Sequence, residues 1–94
     1  AYHRVLDFFP QDHVVLNNLG VVYLRQGNIS AAKEIFTQAV SLYPDDPMAQ
    51  TNLAYCLIQE GRRAEAEKIL REVLQATPSF SAAQNNLRWL QEGR

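Results

Sequence analysis

Three asparagines, Asn18, Asn52 and Asn86, stand 34 residues apart along the chain. A primary amide carries two N–H donors and a carbonyl acceptor, so each can pair with both the N–H and the C=O of a second backbone. Repeated at a constant step, such amides can hold an extended main chain without reading its side chains. A second slot of the same period holds Val21, Tyr55 and Trp89, which grow larger toward the C-terminal end. Tyrosine and tryptophan join apolar area to a polar tip, the makings of a binding hot spot. A plainer reading stands beside each set. The asparagines are polar residues that the slot tolerates, or bonds to a neighbouring helix. Trp89 packs inward against the segment before it, or covers the end of the fold.

Other chemistry finds no support. His3 and His13 lie apart, with no cysteine or carboxylate at ligand spacing, so no metal site is expected. Cys56 has no His or Asp in helical register and reads as a buried structural thiol. There is no phosphate loop, no paired carboxylate in an apolar setting and no Ser-His-Asp arrangement. Catalytic residues and cofactors are therefore expected to be absent, and the chain is not expected to be an enzyme. Nine Lys and Arg against ten Asp and Glu leave a net charge of −1, which gives no basic face for nucleic acid. One cysteine excludes an internal disulfide and suits a reducing, cytoplasmic setting. No apolar run reaches the roughly 20 residues needed to span a bilayer. The chain opens Ala1-Tyr2-His3-Arg4 without an initiator Met, so it reads as a piece or a processed form of a longer protein.

The elements that must position the asparagines follow from the breakers. Pro10, Gly27, Pro44-Asp45-Asp46-Pro47, Gly61 and Pro78 cut the 94 residues into six segments. Apolar residues recur at helical spacing in each. The first segment, about 1–9, places Tyr2, Val5, Leu6 and Phe9 on one face. The others span about 12–26, 29–43, 47–60, 63–76 and 81–92. Asp12, Asn28 and Asp46 are N-cap candidates, Pro47 suits a first helical turn, and Gly27 suits the C′ position. No strand pattern competes, so the fold class is all-α.

The repeat is wider than the asparagines. Leu16, Leu19, Gly20 and Tyr23 are followed by Ala32, Phe36 and Pro44; shifted by 34, the slots from Leu19 onward hold Leu53, Ala54, Leu57, Ala66, Leu70 and Pro78. A period between 20 and 50 residues marks a stacked-repeat architecture. Windows 13–46 and 47–80 share six identities: Asn18/Asn52, Leu19/Leu53, Gly27/Gly61, Ala32/Ala66, Ile35/Ile69 and Pro44/Pro78. Each unit then consists of two antiparallel helices, A and B. Gly20, Ala54, Ala32 and Ala66 are small where the two helices pass closely. The first copy resembles the tetratricopeptide repeat at every signature slot. Residues 13–46 and 47–80 are expected to be complete repeats, and 1–10 helix B of a truncated preceding one. Residues 81–94 read as a C-terminal capping helix, because Arg88 and Gln91 fill slots that a following helix B would bury.

The resemblance implies an α-solenoid of helix pairs, six helices in all, with the A helices lining a concave groove. It places Asn17, Asn18, Val21 and Leu24 of the first unit in that groove. From the second unit come Asn52, Tyr55 and Ile58, and from the third Asn86 and Trp89. The asparagine row looks like the ladder in the repeats of the O-linked N-acetylglucosamine transferase. The carboxylate clamp of the co-chaperones of this family falls on Asn17, Val21, Asn52, Ala82 and Asn86. Only Asn52 fits, and without cations a buried carboxylate lacks charge-assisted partners. Arg63, Glu67 and Arg71, with Lys68 and Glu72, read as i,i+4 pairs on a solvated face. The expected function is a protein–protein interaction scaffold taking an extended peptide or a partner helix in the groove. Two alternatives stand: self-association into a homo-oligomer through the apolar N-terminal end, and a substrate-recruiting arm of a larger enzyme such as a glycosyltransferase. RNA binding is disfavoured by the charge balance and by the period, one residue short of the pentatricopeptide family's.

Overall fold

The computed structural model describes residues 13–92. They form five helices and no strand: α1 (His13–Arg25), α2 (Ile29–Leu42), α3 (Pro47–Gln59), α4 (Arg63–Ala76) and α5 (Ser81–Gln91). The expected helix over 1–9, the Asp12 cap and the self-associating N-terminal end lie outside the described residues, so the description has five helices where the sequence reading has six.

Local chemistry sets the boundaries. The α1–α2 and α3–α4 turns are the same turn twice. Gly27 has φ +78° and Gly61 φ +83°. Asn28 N–H donates to the Tyr23 carbonyl at 2.9 Å and Gly27 N–H to that of Leu24 at 3.0 Å. Arg62 N–H and Gly61 N–H repeat this to Leu57 and Ile58 at 2.8 and 3.0 Å. This is the Schellman closure, which needs a left-handed residue at C′. Asn28 caps α2 by accepting from Ala31 N–H, and Asp46 caps α3 by accepting from Met48 N–H with Pro47 at the start of the helix.

The α2–α3 and α4–α5 turns are also copies. Tyr43 N–H donates to Ala39 and Thr77 N–H to Val73, at 2.8 and 2.7 Å. In each, a glutamine one turn into the next helix ties down the proline carbonyl: Gln50 Nε2 donates to Pro44 and Gln84 Nε2 to Pro78. These turn hydrogen bonds thus repeat every 34 residues, as the sequence does, although the side-chain caps of Asn28 and Asp46 have no counterpart at Arg62 and Phe80.

Packing explains the small residues. A Cβ at Gly20 would run into Cε1 and Cζ of Phe36, with Cδ1 at 2.9 Å. Phe36 is fully buried. In the second pair, Ala54 takes the glycine's place and Leu70 the phenylalanine's, and both are fully buried. The backbone separation tolerates an extra methyl only where the facing ring becomes an aliphatic chain. The core crosses between pairs. Ala49 of α3 packs with Leu16, Leu19, Ile35 and Ala39, and Cys56 of α3 packs with Ala32 and Phe36. The second pair and α5 share a further cluster containing Ala54, Leu70, Val73, Ala83 and Leu90.

Candidate functional site

The helices are not equivalent in what they touch. Beyond its hairpin partner and its chain neighbour, α1 meets α3 and α3 meets α5, whereas α2 and α4 share no comparable contact. The first helices of successive units therefore form a continuous layer, the layer that carries all three asparagines. Asn18 on α1 is exposed, and Asn52 on α3 and Asn86 on α5 are half-buried.

Exposed apolar side chains mark the same helices. Large hydrophobic residues left in solvent are Val14, Leu42, Met48, Tyr55 and Trp89, at 39–53% exposure. Four of these five lie on α1, α3 and α5, and they occupy only two repeat slots: Val14/Met48 and Tyr55/Trp89. A single exposed apolar residue is ordinary, but recurrence at fixed slots sets this layer apart from α2 and α4.

Where α3 meets α5 the layer sinks into a pocket of about 330 Å³, lined by Tyr55, Ile58, Gln59, Asn85, Asn86 and Trp89. Four site residues expected from the sequence, Tyr55, Ile58, Asn86 and Trp89, come together here. Ile58 is 8% exposed and belongs to the core cluster as well. Val21 and Leu24 are half-buried and pack against the cluster of Ala32, Phe36 and Cys56. Asn17 is turned into the fold. Its Nδ2 donates to Asp46 Oδ2 at 3.3 Å, tying α1 to the cap of α3. Its Oδ1 and the Oγ1 of Thr51, which occupies the same slot on α3, are buried without a hydrogen-bond partner.

Trp89 lines the pocket with Tyr55, and the Arg63 guanidinium stands 5.6 Å from its ring centroid. Arg63 Nη2 also donates to the Leu90 carbonyl at 3.1 Å, in the last turn of α5. Arg63 was expected in an i,i+4 series on a solvated face; it is exposed, and its guanidinium also bridges to the next helix, where a cation meets an electron-rich ring and a helix C-terminus. The Glu67–Arg71 pair does form, at 2.7 Å. Sequence reasoning missed Arg63 because its partners lie on another element. The available signal was a change of type at the slot: the equivalent residue is Ile29, which packs against the cluster around Cys56. Gln50 and Gln84 were missed too, although an identical residue at a step of 34 pointed to them.

Cys56 is fully buried, and burial, aided by the Glu60 carboxylate and opposed by Lys33, pushes its thiol up to about 11. Such a thiol is protonated at neutral pH and is a poor nucleophile. Lys33 and Glu60 pair with each other at 2.8 Å, linking α2 to the end of α3.

The description "Tetratricopeptide repeat" belongs to a family model that matches residues 23–90. No curated protein matches the chain. Among solved structures, the first TPR of Spaghetti (RPAP3) bound to the HSP90 peptide SRMEEVD aligns with a TM-score of 0.86. The sequences are 24% identical over 97% of this chain and 72% of that one. The NMR structure of the first TPR domain of the human RPAP3 protein gives the same values. At that identity the likeness speaks for the fold.

Proposed function

The chain belongs to the tetratricopeptide-repeat family, and from that premise we propose that it is a non-enzymatic interaction scaffold that binds an extended peptide along the layer of α1, α3 and α5. The observation that carries this reading is the pairing of two features on one layer: amides at a step of 34 and exposed apolar side chains at two neighbouring slots. Asn18, Asn52 and Asn86 hold the main chain. Tyr55, Trp89, the half-buried Val21 and Leu24 and the edge of the buried Ile58 that lines the pocket meet apolar side chains.

The solved relative holds an acidic peptide with a C-terminal Asp. This chain lacks the cations for it. The slots that correspond to a carboxylate clamp hold Asn17, Val21, Asn52, Ala82 and Asn86, and Asn17 is committed to Asp46. A carboxylate drawn into this layer would lose its water without a charged partner. The ligand is therefore an uncharged stretch of chain and not an acidic tail.

The test is a calorimetric titration of the 94-residue protein with two probes: the capped peptide acetyl-Gly-Ser-Leu-Ser-Gly-amide and the peptide SRMEEVD. The first binds weakly with little dependence on salt, as expected for few charges, and the second does not. Asn52→Ala weakens the first by about 1–3 kcal/mol, the cost of a buried hydrogen-bonding amide. Preferential binding of SRMEEVD with a steep salt dependence would overturn this reading.

A further inference from the structure

We infer that the pocket between α3 and α5 is the anchor subsite for one uncharged, apolar side chain of the bound peptide, and that it turns away basic side chains. The inference rests on the peptide reading above and gives that ligand its chemistry.

The lining supplies two aromatic rings, one branched aliphatic chain and three amides, and no charged side chain. Its volume of about 330 Å³ is at the lower end of the range for ligand pockets, roughly 300–1,000 Å³. That is room for a side chain and its flanking backbone. Asn86 belongs to the amide row and to the pocket at once, so a peptide whose backbone is held there has its side chain at the mouth of the pocket. An apolar guest gains burial against Tyr55 and Trp89, whose area is otherwise in water.

A cation meets the opposite situation. No carboxylate lines the pocket to receive it, so its water would be replaced only by neutral amide oxygens and by rings of which one, Trp89, already faces a guanidinium. A positive charge stands at the aromatic wall: the Arg63 guanidinium, held over Trp89 and tethered to the Leu90 carbonyl. Arg63 is thus a positioning residue for the ring and a like charge against a lysine or arginine guest.

Norleucine and lysine isolate this term, since they share a straight aliphatic chain and differ in the terminal charge. The probes are acetyl-Gly-Ser-norleucine-Ser-Gly-amide and its lysine counterpart, titrated into the isotope-labelled 94-residue protein. The chain has one tryptophan, so the indole N–H resonance reports Trp89 alone. The norleucine peptide is expected to shift it to saturation, with the lysine peptide about tenfold or more weaker. Tyr55→Ala, a half-exposed position whose truncation leaves the core untouched, should narrow that ratio while the indole still reports. Equal affinity for the two peptides would overturn the inference. So would side-chain amide shifts at Asn18 and Asn52 without an indole response, and that result would leave the peptide reading standing. No response to either peptide at millimolar concentration would sink both.

Discussion

At the scale of single residues, Gly20 and Phe36 trade volume, and the trade is testable because the second pair contains the alternative solution. Gly20→Ala gains helix propensity of about 1 kcal/mol but drives a methyl into the Phe36 ring. Overpacking of this kind costs about 1–3 kcal/mol, so the single variant should be less stable by urea denaturation. Adding Phe36→Leu reproduces the Ala54/Leu70 combination. The double variant should recover part of the loss, with a coupling of about 1 kcal/mol or more in the double-mutant cycle; strictly additive effects would contradict the close approach. Thr51 poses the reverse case. Its hydroxyl is buried without a partner, and valine has nearly its shape. Thr51→Val should stabilise the fold by about 1 kcal/mol, and a loss of stability would mean that the hydroxyl has work to do. Cys56 makes a pH statement. Burial pushes its thiol from the ordinary 9.0 up to about 11 in the fold. Because the folded value is raised, the contribution is intact below pH 9 and disappears between about 9 and 11, as the unfolded thiol ionises first. Over that window the wild type should lose about 2 kcal/mol more than Cys56→Ala.

At the scale of elements, the turns decide where helices stop. Nothing lies within 4 Å of a Cβ added at Gly27 or Gly61, so alanine there meets only its own backbone. The positive φ then costs about 1–2 kcal/mol per site. Gly27→Ala and Gly61→Ala should each lower the melting temperature by a similar amount, and unequal losses would show that the turns are not equivalent. These turns were the most legible part of the sequence. Gly27, Asn28, Asp46, Pro47 and Gly61 act within a few residues of themselves, and the five expected segments from about residue 12 onward fall within a residue or so of the observed helices. Arg63 was not legible for the opposite reason. Its side chain is satisfied at Trp89 and Leu90, residues 26 and 27 positions away, and helical spacing sees only the residue's own turn. The Asn17–Asp46 bond was hidden in the same way.

At the scale of the whole molecule, the constant step turns residue identity into position. Once the units stack, a slot read on α3 gives the address of its counterparts on α1 and α5. This is why four of the nine groove residues that the slots give, Tyr55, Ile58, Asn86 and Trp89, line one pocket. The step does not tell how far each slot is rotated toward the partner helix. Val21 and Leu24 therefore belong as much to the core as to the surface, and Asn17 belongs to the junction. The exposed apolar residues of the α1, α3 and α5 layer are interleaved with neutral amides, so the layer can meet an uncharged chain without relying on charge. The most direct measurement of that claim is a side-chain amide NMR titration of the 94-residue protein with acetyl-Gly-Ser-Leu-Ser-Gly-amide. Asn18, Asn52 and Asn86 NH₂ resonances should move together along one saturation curve, while amides on α2 and α4 stay in place. Movement confined to α2 and α4, with the three asparagines still, would contradict the account.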